Sequence, residues 1–204
     1  MLSTKEQLVL SAKELIAKKG YTNTKIEDIT KNANLAKGTF YVYFKTKEDV
    51  FIEILKEYCQ GFEVFSKNIK LEGTLKKNIE NFISEIFMAI NTNQDAIKPL
   101  LLILSDINFI KKVMGTSIKH KILSFEDIIT SFLENSRTEV DDLVLENLSL
   151  VASSTDMLIK HFLMNSYGVG PFHCSFVGIK KLSQEEVDEK IKLLVNLVYK
   201  SLKK

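Results

Sequence analysis

Apolar residues recur at three- and four-residue intervals along most of the chain, the repeat of one helix face rather than the strict alternation of a strand. Leu8, Ala12, Leu15 and Ile16 mark a first helix. Thr4, followed three residues later by Gln7, reads as its capping box, and Gly20 as its C-terminal stop. Thr24 with Glu27 repeats the box for a short second helix, with Ile26, Ile29 and Ala33 on one face and an end near Asn32. Asn34 tolerates a left-handed turn without being glycine, so Ala33-Asn34-Leu35-Ala36 is expected to bend the chain sharply. A third short helix follows over residues 37–44, with Phe40 and Phe44 inward and Lys37, Thr39, Tyr41 and Tyr43 pointing elsewhere. Thr46 with Asp49 then begins a long amphipathic helix, marked by Val50, Phe51, Ile54, Leu55 and Tyr58, that runs past Phe62.

Helical stripes continue beyond Gly73: Ile79, Phe82, Ile83, Ile86 and Phe87; Leu100 to Leu104; and Ile118, Ile122, Phe125, Ile129 and Phe132. Asp141-Asp142 opens a long helix carrying Leu145, Leu148, Val151, Ala152, Leu158 and Phe162, which the stretch from Gly168 to Gly178, with Pro171, interrupts. Ser183 and Glu186 cap a last helix bearing Val187, Ile191, Leu194, Val195 and Val198. With two prolines and eight glycines in 204 residues, little forces these helices to stop. The pattern predicts an all-α chain: an N-terminal three-helix module with a helix-turn-helix over residues 1–46, and a C-terminal helical bundle over 47–204.

Composition narrows the picture only slightly. The net charge of +2, from 28 basic and 26 acidic side chains, identifies no polyanion partner by itself, but nine lysines stand against six acids through Val50. Cys59 and Cys174 are too few for a disulfide framework, which fits a reducing, cytoplasmic location. The start, Met1 to Glu6, lacks the succession of a secretory leader, and the longest apolar run, Pro99 to Leu104, is far short of a membrane span.

Two short helices joined by a tight turn and buttressed by a third let one helix project from a compact support and enter a major groove about 12 Å wide. Lys37 and Thr39 lie at the N-terminal end of that helix, where side chains reach base edges; Gly38 permits close approach, and the Tyr41 and Tyr43 hydroxyls suit phosphates or bases. Gly20-Tyr21, Ile26-Glu27-Asp28-Ile29 and the run Ala33-Asn34-Leu35-Ala36-Lys37-Gly38-Thr39-Phe40-Tyr41-Val42-Tyr43-Phe44-Lys45-Thr46-Lys47-Glu48 resemble the TetR family of transcriptional regulators over about the first quarter of the chain. The resemblance implies a nine- or ten-helix Ω-shaped homodimer that binds double-stranded DNA through its first three helices. It also implies a divergent C-terminal pocket for a small molecule and a four-helix dimer interface from the last two long helices. Carried onto this sequence, it places Lys37, Gly38, Thr39, Tyr41, Val42, Tyr43 and Lys47 at DNA-proximal positions and Lys25 at the phosphate-facing start of the second helix. Asn34 stands where glycine is commonest, and Val42-Tyr43 replaces the frequent pairing of an aromatic residue with histidine, so Val42 packs while Tyr43 retains a donor.

In the remaining chain, Phe62, Phe82, Phe87, Met88, Phe109, Phe125, Met157 and His161 are candidates for lining a ligand pocket, since aromatic and methionine side chains adapt to apolar ligands. The three histidines and two cysteines lack convergent ligand spacing, so no metal is expected, and no other cofactor. Nor is there a paired nucleophile and base, a phosphate-cradling glycine loop or an HExxH helix, so no enzyme is expected. Small residues at Ser149, Ala152, Ser153 and Ser154, facing the stripe Ile191, Leu194, Val195 and Val198, are the expected dimer contact. Taken with these readings, the resemblance implies a ligand-responsive repressor that binds a palindromic operator as a dimer and is released by a small apolar or amphipathic ligand.

Overall fold

The structure, a computed structural model, describes residues 2–106, 109, 112, 124–168 and 180–203. Among them are ten α-helices: α1 (Thr4–Asn23), α2 (Ile26–Asn32), α3 (Lys37–Tyr43), α4 (Lys47–Lys67), α5 (Leu75–Thr92), α6 (Gln94–Ser105), α7 (Glu126–Asn135), α8 (Asp142–Glu146), α9 (Leu148–Ser166) and α10 (Gln184–Leu202). The all-α class is as expected. The stripe at Ile118 and Ile122, the break after Gly168, and His120, His173 and Cys174 lie outside the described residues.

The chain forms two compact units. The first comprises Met1–Phe62 and Asp95–Leu123, so the unit that holds the three N-terminal helices extends past residue 46 along α4 and includes α6. Its core is Leu8, Ala12, Ile16, Ile29, Phe40, Val50, Phe51, Ile54 and Leu55, joined by Leu100, Ile103 and Phe109. The helix starts differ in detail from the sequence pattern. Ser3, not Thr4, caps α1: its Oγ accepts from the Glu6 amide at 3.3 Å while Glu6 Oε2 accepts from the Ser3 amide at 2.7 Å. Glu6 brings a carboxylate to the positive end of the helix, which Gln7 cannot do, and Gln7 instead donates to the Leu2 carbonyl at 3.1 Å. Gly20, with φ 76° and ψ 172°, interrupts α1 as expected of a stop, but helical turns resume as far as Asn23. Thr24 then closes that segment by donating to the Gly20 carbonyl at 2.6 Å, which leaves the cap of α2 to Lys25, whose amide reaches Asp28 Oδ2 at 3.2 Å.

The second unit comprises Glu63–Gln94 and Ser124–Lys204. Here α5 packs against α10 and α7, and α9 packs against α7, α8 and α10. Ile79, Phe82, Ile83, Phe87, Ile129, Phe132, Leu133, Leu194 and Val198 fill the interior. The single long helix expected from Asp141 is two helices. Asn147, with ψ 32°, ends α8, and its side-chain amide bonds back to the Leu143 carbonyl at 2.9 Å, a local hydrogen bond that competes with helix continuation. Of the residues expected to meet a second subunit, Leu194, Val195 and Val198 are buried where α10 packs against α5 and Ala152 is buried on α9, whereas Ser149 and Ser154 are exposed and Ser153 and Ile191 half-buried. On α9 and α10 the large apolar residues left exposed are Leu150, Met157, Leu158, Leu193 and Leu197; Val64, Met88 and Leu143 are exposed elsewhere in this unit.

Candidate nucleic-acid interface

The turn between α2 and α3 is built around Asn34, whose φ of 55° is the positive value the sequence predicts there. The Leu35 amide folds back to the Thr30 carbonyl at 2.8 Å and the Ala33 amide to Ile29 at 3.0 Å, so the amides that flank Asn34 are paired. Buried Ser11 on α1 donates to the Ile29 carbonyl at 2.7 Å and accepts from Asn32 Nδ2 at 3.1 Å, which fixes α2 against its support.

α3 stands on one fully buried side chain, Phe40, with Phe44 buried just beyond its end. The opposite side faces out: Lys37, Gly38, Tyr41, Val42 and Tyr43 are exposed and Thr39 is half-buried. Val42 is 75% exposed and Tyr41 51%, an apolar side chain and an aromatic ring left in water at the tip of a well-packed module. A Cβ added at Gly38 would meet nothing within 4 Å, so packing within the chain does not require glycine there.

The cations differ in how they are held. Lys25 is exposed at the start of α2. Lys37 Nζ donates to Glu27 Oε1 at 2.5 Å, and this hydrogen bond raises the lysine pKa and lowers that of the glutamate. Lys47 is half-buried: it donates to the Tyr21 carbonyl at 3.1 Å with its ammonium 4.1 Å from the centre of the Tyr21 ring, and desolvation lowers its pKa. Tyr21 donates to Glu48 Oε1 at 2.6 Å, and Lys112 pairs with the same oxygen. Burial pushes the Glu48 carboxyl up, but those two hydrogen bonds outweigh it and hold the group at about 2. Lys37, Gly38, Tyr41, Val42 and Tyr43 thus share the outer side of α3, whereas Lys47 is anchored to the end of α1. Sequence reasoning saw Glu27 only as a capping residue. Its partnership with Lys37, ten positions on, depends on the turn bringing the first turns of two helices together.

The pocket candidates fall in different places. Phe82 and Phe87 are core residues of the second unit, Phe82 lying edge-on to Phe125 at 5.3 Å between ring centres. Phe109 is core of the first unit, 4.9 Å from the Tyr21 ring, and Phe62 is half-buried on α4. Met88 and Met157, 60% and 69% exposed, lie on the outer sides of their helices, as does His161, which bonds Asn165 at 2.9 Å. A cleft of about 360 Å³ opens in the second unit between the end of α4 and α5, lined by Phe65, Asn68, Ile69, Lys70, Asn81 and Glu85. Among the described residues no group of three His, Cys, Asp or Glu side chains is placed to hold a metal ion, and no helix is long and apolar enough to cross a membrane.

A projecting α3 on a two-helix support defines a helix-turn-helix protein. Residues 8–54, about a quarter of the chain, match the model of bacterial regulatory proteins, tetR family. The fatty acid metabolism regulator protein of Bacillus subtilis is 39% identical over 82 residues, 40% of this chain and 42% of that protein. The regulator QacR of Staphylococcus aureus is 43% identical over 54 residues, 26% of this chain and 29% of QacR, so these matches span less than half the length of either relative. The fold extends further. A tetR-family regulator from Mesorhizobium loti superposes over 98% of this chain and 96% of its own with a TM-score of 0.66 at 15% identity. FadR of Bacillus subtilis, solved with stearoyl-CoA, superposes over 95% of this chain and 97% of its own with a TM-score of 0.62 at 21% identity.

Proposed function

We propose that the chain is a ligand-responsive transcriptional repressor that binds a palindromic operator as a homodimer and releases it on binding a small apolar or amphipathic molecule. The observation that carries this reading is the outward side of α3: Lys37, Gly38, Tyr41, Val42 and Tyr43 exposed on a helix whose inner side, Phe40, is wholly buried. A helix held in this way presents donors at its N-terminal end to base edges, and hydroxyls further along to phosphate. In this scheme Lys37 and Thr39 contact bases, Gly38 admits the DNA backbone, Tyr41 and Tyr43 bond phosphate or bases, and Val42 packs. Lys25 and Lys47 neutralise phosphates. The Lys47 ammonium has three donors and gives one to Tyr21, which leaves two for this role.

One seven-residue helix contacts too few bases to specify a site alone, which favours a dimer whose two copies read the two halves of a palindrome. We assign its contact to α9 and α10 through Leu150, Met157, Leu158, Leu193 and Leu197, the large apolar side chains those helices leave exposed. The functional border is placed at residues 46/47, where α4 begins. A ligand bound in the C-terminal part is proposed to shift α4 and so change the separation of the two recognition helices. Its site is sought first among Phe62, Phe82, Phe87, Phe109 and Phe125, with Met88, Met157 and His161 as outlying candidates.

Selection from randomised duplexes, followed by footprinting of the full chain, tests the reading. The expected result is a two-fold symmetric site with half-sites on one face of the duplex, from which a ligand panel including stearoyl-CoA releases the protein. Lys37→Ala is expected to relax preference at one base position, whereas Lys47→Ala weakens all sequences alike. Binding that selects no sequence at all refutes the proposal.

A further inference from the structure

Glu27 and Lys37 occupy the first turns of α2 and α3, the two helices of the helix-turn-helix, and their side chains meet at 2.5 Å although each is more than half exposed. No acid of α3's own first turn stands beside Lys37. We infer that Glu27 is a specificity-determining residue that acts with Lys37 as one unit on a G·C base pair; this inference rests on the DNA-binding reading of α3.

A free ammonium is attracted to any phosphate, which strengthens binding to every sequence alike. Lys37 already holds an anion, so a phosphate offers it only an exchange of one anion for another, and the Glu27 carboxylate repels that phosphate. A base edge is different. In the major groove a G·C pair presents guanine N7 and O6 as acceptors and, beside O6, the cytosine N4 amino group as a donor. Lys37 keeps two N–H donors for O6 and N7 while it holds Glu27, and the second carboxylate oxygen of Glu27 accepts from N4. An A·T pair places an amino group in the central position, opposite the ammonium, and fails to match.

The test compares the full-length wild type with Glu27→Gln and Glu27→Asp in duplex selection and in salt titration of binding. The wild type is expected to select G·C at one position of each half-site. Glu27→Gln is expected to lose that preference by roughly fivefold or more. It should also bind random-sequence DNA more tightly, with a log–log salt slope steeper by about 0.9 for each lysine released. Glu27→Asp, which keeps the charge, should keep the wild-type slope, and circular dichroism should show the same helix content in all three. A Glu27→Gln protein with wild-type salt slope and wild-type base preference overturns the inference while leaving the regulator reading intact. A wild type with no sequence preference removes both.

Discussion

Asn34 holds a backbone conformation, φ 55°, that costs most side chains energy and that asparagine accepts because its short amide suits the left-handed region. The amides on either side of it are tied to α2 through the Ile29 and Thr30 carbonyls, so the residue cannot relax without moving the start of α3. Asn34→Gly is therefore expected to leave stability nearly unchanged, whereas Asn34→Val, branched at Cβ, should cost about 1–2 kcal/mol and weaken DNA binding by misplacing the helix. Thermal melts of the two variants check this, and a valine variant as stable as the wild type would contradict it. At this scale the sequence was legible wherever one residue decides its own backbone, as Asn34 and Gly20 do. It was not legible for Lys47, whose ammonium is held by a carbonyl and a ring 26 positions away.

Periodicity located the helices but not all of their ends, because apolar spacing says where a face lies and nothing about the backbone angles between turns. Leu145, Leu148 and Val151 keep helical spacing straight through Asn147, yet the chain breaks there into α8 and α9. Thr24 shows the same limit, since a residue placed to begin α2 instead closes α1. The start of α7 shows what sequence spacing misses altogether. Phe125 offers no side-chain cap, and its amide donates instead to Oδ1 of Asp156, a buried carboxylate on α9, at 2.9 Å, while Lys160 reaches Oδ2 at 2.6 Å. Removing this acceptor strands a buried amide and leaves Lys160 without its counter-charge, so Asp156→Ala should lower stability by about 1–3 kcal/mol, with Asp156→Asn losing less because it keeps an acceptor. Urea unfolding of the three proteins measures the difference. Equal midpoints for wild type and alanine would show that α7 starts without help from α9.

At the scale of the whole molecule, the proposed homodimer requires an apolar surface that a second copy can cover. Small residues and an apolar stripe pointed to one side of α9 and α10, but Ala152, Leu194, Val195 and Val198 are buried in the second unit's own core. Sequence alone does not rank two apolar sides of one helix, because the choice depends on what α5 already occupies. The side that remains carries Leu150 at 68% exposure, Met157 at 69%, Leu193 at 53% and Leu197 at 46%, an uncommon set of large apolar groups for a surface that meets only water. Two helices contributed by each copy would bury these groups as a four-helix packing. A carboxylate placed there would be trapped without a partner on dimerisation, yet costs little in the separate chain, where the position is solvated. Leu150→Glu combined with Leu197→Glu should therefore keep its helix content, sediment as a monomer at micromolar concentration, and bind the operator roughly a hundredfold or more weaker, because the two half-sites are no longer linked. A double variant that remains dimeric places the interface elsewhere on the chain. A monomer that binds with wild-type affinity would mean that one recognition helix suffices, and the two-fold operator would have no physical basis.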